Sequence, residues 1–381
     1  MRSLAVSHGD AFLRLLPHEA VARFHIDAFP LWCGMIITPA PDFDPNAAEN
    51  RARVLVRKRA FSCDYRDKGL LLRGLQGAHK HAFVSIGSEF VGEVVAKGAD
   101  VTGLAVGDRV MGDNHYIGAG DAGREYAEGV PTNAASQEYQ AFHPGKLIIV
   151  PPEMPDEVAA AFSIGAQTAY SMARKLAVAP GANVLVTAAK SNTSLFSINA
   201  LKKRGVNVYA TSTSSRCEPE LKTLGVQELF VVDPMLGWAG QERLQAVARE
   251  IGGFDGVIDP FFDLHLGSAV AVLAAGGRYV TCGHYDQYLG LIGRESPYPR
   301  PDLLRTISSA ILKNVQIIGN CIGLTDDLRQ AIMDYVAGDL TVQIDSVYDG
   351  ERIGDFLDRS FNARDRFGKV VCVFGPERAL P

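Results

Sequence analysis

The sequence contains no Cys-x-x-Cys pair: its six cysteines, Cys33, Cys63, Cys217, Cys282, Cys321 and Cys372, are dispersed along the chain. That spacing excludes a disulfide framework and a cysteine-based zinc site, and it suits a reducing compartment, so the expected location is cytoplasmic. Most of these thiols are expected as small buried hydrophobes. No apolar run approaches the roughly 18 residues of a membrane-crossing helix. A cationic excess is missing as well. With 38 Lys and Arg against 43 Asp and Glu, the formal net charge of −5 excludes a general nucleic-acid or acidic-membrane binder. The stretch Met1 to Asp27 intersperses charge with apolar residues and does not read as a secretory signal. No internal repeat or low-complexity tract is present.

What the chain does have is enough apolar material for a large core, 47% of 381 residues, and room for two domains. Residues 1 to 50 carry no clear pattern. From Arg51 to Arg59 valines alternate with charges, and Phe83 to Val95 reads as two short strands. With the turn glycines that follow, these predict a twisted, barrel-like β-domain. Gly112 to Ser136 is a long loop without periodicity, either functional or mobile. Strands return at Glu138 to Phe142 and Lys146 to Val150, followed by helical stretches at Pro155 to Phe162 and Ile164 to Leu176. From Val184 to Gly319 short apolar runs alternate with helical periodicity, the rhythm of a doubly wound parallel sheet. Tyr285 to Arg300 interrupts that rhythm as a loop rich in Gly, Pro and Tyr.

The centre of this pattern is ANVLVTAAKSNTSLFSINALKKRG, Ala182 to Gly205. A buried strand, a small polar turn and a helix form the unit that receives a dinucleotide's pyrophosphate on helix N–H groups. The turn holds no glycine. Lys190 adds a positive charge, Ser191, Thr193 and Ser194 offer hydroxyl donors, and Asn192 tolerates a left-handed backbone. The same residues also suit a capped turn with no ligand at all. In the next turn, Thr211 to Arg216, no carboxylate occurs until Glu218. NAD sites place an acid there, whereas Ser212 and Arg216 suit a 2′-phosphate, so NADPH is the expected cofactor. An ordinary solvated Ser/Thr turn is the alternative.

Several segments resemble the medium-chain dehydrogenase/reductase superfamily: VLVRKRAFSCDYRD, IGSEFVGEVVAKGADVTGLAVGDRVMG, IGAQTAYSMARKLAVAPGANVLV and FGKVVCVF. The resemblance covers roughly residues 50 to 375 and is most specific at Gly107-Asp108-Arg109-Val110 and Phe367-Gly368-Lys369-Val370. It implies an α/β fold with a GroES-like β-barrel catalytic domain, residues 1–160 and 325–381, and a Rossmann doubly wound parallel-sheet domain, 161–324. Where zinc-dependent members hold a catalytic metal, this chain has Asp64, Ser88 and Ile164, which cannot supply three zinc ligands. The zinc-independent quinone oxidoreductase and enoyl reductase branch is therefore the expected one, with Asp64-Tyr65-Arg66-Asp67 as its active-site turn.

That branch implies NADPH-dependent reduction of a double bond conjugated to a carbonyl, in an enone, a quinone or an enoyl thioester. Charge then develops on an enolate oxygen. Tyr65 is the candidate donor of the hydrogen bond or proton, and Asp64 a group that orients a hydroxyl or water; a packed aromatic and a plain turn residue are the alternatives. Thr168, Gly283 and Lys369 are implied as further cofactor contacts, and His284 and Tyr285 as substrate contacts at a strand end. His79-x-His81 lacks a third ligand and reads as a solvated loop. The segment Lys313 to Gly319 resembles an edge strand of pairing family members, so a homodimer is expected. A relative that has lost redox function and serves as a binding or scaffold protein, or that does non-redox chemistry, is the rival the missing glycines favour.

Overall fold

A computed structural model describes residues 1–7, 11–12, 21–27, 29–77, 83–115 and 134–375. The first run of the chain contributes β1 (Arg2–Ser7), β2 (Val21–Ile26), β3 (Phe29–Ile37), β4 (Val54–Ser62), α1 (Arg66–Gly77), β5 (Val84–Ser85), β6 (Glu89–Lys97), β7 (Arg109–Gly112), β8 (Tyr139–Phe142), β9 (Leu147–Ile149) and α2 (Asp156–Ala159). Residues 1–50, unreadable from pattern alone, thus supply three antiparallel strands. Their side chains are buried on alternate positions in β2 and throughout most of β1. Charged and aromatic residues interrupt the apolar period there; β2 pairs with the adjacent β3, whereas β1 pairs with the more distant β3 and β5.

The middle of the chain forms α3 (Ser163–Leu176), β10 (Asn183–Val186), α4 (Asn192–Lys203), β11 (Asn207–Ser212), α5 (Glu218–Thr223), β12 (Val226–Val231), α6 (Glu242–Glu250), β13 (Phe254–Asp259), α7 (Phe262–Val272), β14 (Leu273–Thr281), α8 (Leu303–Lys313), β15 (Gln316–Gly319) and α9 (Thr325–Val336). The six strands lie in the order β12-β11-β10-β13-β14-β15, every pairing parallel. This is the Rossmann order, with the chain reversing direction across the sheet beside β10. Leu185, Phe254, Val257 and Tyr279 are fully buried in its core, as continuous apolar strands covered on both faces should be. The sequence reading assigns no helix between Arg300 and Val315, yet α8 stands there. Asp302 caps it by accepting from the Arg305 N–H at 3.0 Å, and Asn314 ends it in a left-handed conformation, φ 54°.

The chain ends with β16 (Ile344–Asp349), α10 (Ile353–Phe361) and β17 (Lys369–Val373). These join the first run in one compact unit, Met1–Ile164 with Ile344–Pro381; the second unit is Gly165–Gln343. Helix α9 is tied to the second unit by Arg174 to Asp327 at 2.8 Å and Lys203 to Asp334 at 2.6 Å. In the first unit, β16-β17-β4-β6-β7-β9 form one sheet with β8 on β4, and β2-β3-β1-β5 form another. Helix α10, also absent from the sequence reading, packs on β2, β3, β16 and β17. A Cβ on Gly354 would fall 2.6 Å from the Ala22 side chain, so only glycine permits that approach.

Strand β4 is more deeply buried than alternating charge predicts. Lys58 is fully buried; its ammonium donates to the Ala134 carbonyl at 2.7 Å and to Gln140 Oε1 at 2.6 Å, beside the Phe90 and Phe142 rings. Burial pushes this ammonium well below its ordinary range, and two neutral acceptors are what it has in place of a carboxylate.

Candidate active site

In the first unit, β4 delivers the turn Asp64-Tyr65-Arg66-Asp67, from which α1 starts. Asp67 is buried; its Oδ2 accepts from the Asp64 N–H at 2.6 Å and its Oδ1 from the Ser88 hydroxyl at 2.5 Å. Burial first, and the Asp64 charge second, push its carboxyl up to about 6. Tyr65 is half-buried, with the Lys68 ammonium 4.9 Å from its ring centroid. Burial lowers the Lys68 ammonium to about 8.

Lys369, on β17, belongs to this same cluster. Its ammonium lies 2.5 Å from Asp64 Oδ1 and 2.5 Å from Glu89 Oε2. Glu89 is fully buried and also accepts from the Ile164 N–H at 2.6 Å, while the neighbouring Ser62 hydroxyl donates to the Ala160 carbonyl at 2.7 Å. Burial alone would push the Lys369 ammonium down, but the two carboxylates hold it above its ordinary range. Asp64 Oδ2 is left buried with no hydrogen-bond partner. Lys369, expected as a cofactor contact, is thus engaged by two carboxylates of its own unit.

The three positions compared with a zinc site are engaged in other bonds. Ser88 donates to Asp67, Ile164 offers only a backbone N–H already bound to Glu89, and Asp64 is paired with Lys369. Among the described residues no group of three His, Cys, Asp or Glu side chains is placed to hold a metal ion. His79 and His81, and residues 116–133 of the long loop, lie outside the described residues.

In the second unit, β10 runs into Thr187-Ala188-Ala189-Lys190-Ser191 and then α4. The left-handed residue is Ala188, φ 48°, and not Asn192, which is already helical. Composition could not reveal this, because alanine carries no preference for that region. Ser191 caps α4 by accepting from the Ser194 N–H at 3.2 Å, and Ser194 donates its hydroxyl to the Thr187 carbonyl at 2.7 Å. Two of the hydroxyls expected at a phosphate therefore build the turn itself. Thr193 and Lys190 are half-buried, on the first turn of α4 and just before it. Gly165 of α3 allows α4 to come close: a Cβ there would meet Asn192 Nδ2 at 2.7 Å and the Phe196 ring at 3.0 Å. Thr168, two residues before Tyr170 on α3, is buried.

At the end of β11, Ser212 is buried and accepts from the Ser214 N–H at 3.3 Å, whereas Arg216 beyond the strand is exposed. At the end of β14, Gly283 accepts from the Phe262 N–H at 3.2 Å. Asp263 then grips the next two residues, its oxygens accepting from the Tyr285 N–H at 2.7 Å and the Asp286 N–H at 2.9 Å. Tyr285 packs edge-on against Phe261 and Tyr298, with centroids 5.9 and 5.3 Å away, and exposed His284 lies 6.0 Å from Phe262.

Sequence reasoning passed over the buried polar hub beneath the turn. Asp259 accepts from Thr187 Oγ1 at 2.5 Å, the Phe261 N–H at 2.9 Å and Tyr279 OH at 2.5 Å, and pairs with His265 Nδ1 at 2.9 Å. Burial would raise this carboxyl, but His265 and the hydroxyl donors hold it below its ordinary value. The available signal was an acid closing an apolar parallel strand, Gly256 to Asp259.

Comparison with known proteins agrees with this architecture. Residues 50–156 match the alcohol dehydrogenase GroES-like domain family. The chain is 27% identical over 306 residues to acryloyl-coenzyme A reductase of Metallosphaera sedula, covering 76% of this chain and 82% of that one. It is 30% identical over 203 residues to polyketide synthase GfsB of Streptomyces halstedii, covering 53% of this chain and 3% of the synthase. The chain therefore spans only a small part of that relative. Among solved structures, an NAD-dependent alcohol dehydrogenase superposes with a TM-score of 0.73 at 22% identity, over 98% of this chain and all of that one. A quinone oxidoreductase from Coxiella burnetii gives 0.67 at 20% identity, over 90% and 95%. At such identities the structures speak for the fold alone.

Proposed function

We propose that the chain is a medium-chain dehydrogenase/reductase and, within that superfamily, a zinc-free, NADPH-dependent reductase of a carbon–carbon double bond conjugated to a carbonyl. The observation that carries the reading is the Ala188 to Ser194 turn. It keeps the left-handed residue and the capped helix start of a phosphate-binding turn although its glycines are gone.

When bound, NADPH would supply a hydride. This chain's own residues have the remaining tasks. The α4 N-terminus and Lys190 receive the pyrophosphate, and Arg216, in a stretch whose sequence from Thr211 to Cys217 holds no acid, receives the 2′-phosphate. Thr168, Gly283, His284 and Tyr285 line the nicotinamide and substrate end. Tyr65 donates to the carbonyl oxygen on which charge grows, and Asp64 presents its unpartnered Oδ2 as an acceptor for a hydroxyl. The similarity to an acryloyl-coenzyme A reductase favours an acyl thioester among the substrate classes.

A homodimer in the cytoplasm completes the reading. Strand β15 is the sheet's edge, and beside it α8 exposes Leu304, Ile311 and Leu312 at 82, 70 and 84%. An unpaired edge with an apolar helix next to it favours a second copy.

The test is a titration with NADPH and, separately, NADH, followed by NADPH oxidation with a panel of enones, quinones and enoyl thioesters. NADPH binding that weakens about tenfold in Arg216→Ala while NADH binding does not change supports the assignment, a loss of about 1.4 kcal/mol. No binding of either nucleotide at millimolar concentration would return the turn to a capped loop and favour the binding or scaffold role. Unaltered turnover in Tyr65→Phe would remove Tyr65 as donor.

A further inference from the structure

We propose that Lys68 is a positioning residue for Tyr65: its ammonium, set against the ring one helical turn away, takes up part of the charge that forms on the phenol oxygen when the proton leaves. The inference rests on the reading of Tyr65 as donor and deepens it by naming what makes the phenol a better acid.

Lys68 lies one residue past the family-like segment that ends at Asp67, so that segment does not call for a cation here. Helix geometry brings it to Tyr65. The Lys68 N–H donates to the Tyr65 carbonyl at 3.3 Å, and residues three apart share one face of the first turn of α1. The side-chain nitrogen stands 4.9 Å from the ring centroid. Lys68 is only 5% exposed, while Tyr65 is half-buried. A cation held near an aromatic face is attracted by the ring, and more strongly once the ring carries a phenolate. Burial keeps water and salt from screening that attraction.

The surrounding charges decide when the ammonium is present. Burial lowers it to about 8, Asp27 at the corner between β2 and β3 works in the opposite direction, and Arg366 before β17 adds to the lowering. Asp64, Arg66 and Asp67 share the turn with Tyr65, and β5, which packs on α1, brings only Val84 and Ser85. The ammonium is therefore charged at neutral pH and loses its charge as pH rises through about 8. Asp27 gives the first fifty residues a task at this site: it helps to keep Lys68 charged. When Tyr65 passes its proton to the substrate's enolate, the phenol O–H bond breaks and the electron pair stays on the oxygen beside the ammonium. A proton from water then restores the phenol.

The experiment follows nitration of Tyr65 by tetranitromethane, which attacks the phenolate, in wild type and Lys68→Met across a pH series, with the modified peptide quantified by mass spectrometry. It needs neither substrate nor cofactor. Wild type is expected to react about tenfold faster than Lys68→Met near pH 7, and the two rates to converge above about pH 9, where the amine is neutral. A structural role alone would change the rate by one factor at every pH, or leave it unaltered, and either result overturns the proposal. Should Lys68→Met not fold, wild type decides: the logarithm of its rate should lose slope as pH passes about 8, and a single straight rise refutes the pairing. Turnover is read beside it, with kcat near pH 7 expected to fall about tenfold in Lys68→Met and KM to change less than about twofold. An unaltered kcat in Lys68→Met beside a reduced one in Tyr65→Phe overturns the proposal. Unaltered turnover in Tyr65→Phe overturns instead the reading of Tyr65 as donor, and nitration then decides the pairing by itself.

Discussion

The hydroxyl of Thr187 lies 2.5 Å from Oδ1 of Asp259. This bond ties the residue before the Ala188 to Ser194 turn to the neighbouring strand, and Ser194 ties the same residue to α4 through the Thr187 carbonyl. Removing the carboxylate strands Thr187, Tyr279, His265 and the Phe261 N–H at once. Asp259→Ala is expected to cost about 3 kcal/mol or more and to weaken NADPH binding. Urea unfolding is the check; a loss below about 1 kcal/mol would show the hub to be incidental.

Ala188 holds a left-handed backbone that costs an L-residue about 1–2 kcal/mol. Ala188→Gly should therefore stabilise the protein by about 0.5–1 kcal/mol, part of the relief being offset by the freer unfolded chain. Ala188→Val should destabilise it by about 2 kcal/mol or more, since a branched side chain tolerates this region least. Equal melting temperatures for all three proteins would contradict the strain.

Asp67 gives a pH dependence of definite sign. Its carboxyl is pushed from an ordinary 3.8 to about 6 in the folded protein, so between those values the folded state holds a proton that the unfolded chain has lost. Wild-type stability from this group is full below about pH 4 and falls as pH rises to about 6. Asparagine does not titrate. Relative to wild type, Asp67→Asn should gain on the order of 2 kcal/mol between pH 4 and pH 7. A difference in unfolding free energy that does not move with pH would remove the raised carboxyl.

The exposed face of α8 makes the assembly testable. Ile311→Glu or Leu304→Glu places charge where the homodimer would bury apolar surface. Light scattering should find wild type at twice the chain mass and either variant at the single-chain mass, with unchanged circular dichroism. A wild type that is monomeric at micromolar concentration rejects the dimer.

Much of this protein can be read without coordinates. The apolar runs at Val184 to Val186 and Gly256 to Asp259, separated by helical periodicity, imply buried parallel strands because each element must cover its neighbour's apolar face. What distance along the chain conceals, only the tertiary structure decided. Strand β1 finds its partner β3 across some thirty positions, and α8 and α10, whose amphipathic periods are strong, were passed over beside the Gly-, Pro- and Tyr-rich loop and the chain's mixed C-terminal part. The pairing of Lys369 with Asp64 spans 305 positions, and no local pattern distinguishes a lysine that meets a cofactor from one that closes a buried ion cluster. Left-handed Ala188 is the same lesson at short range: its side chain has no preference for that conformation, and the hydrogen bonds around Thr187, Ser191 and Ser194 impose it.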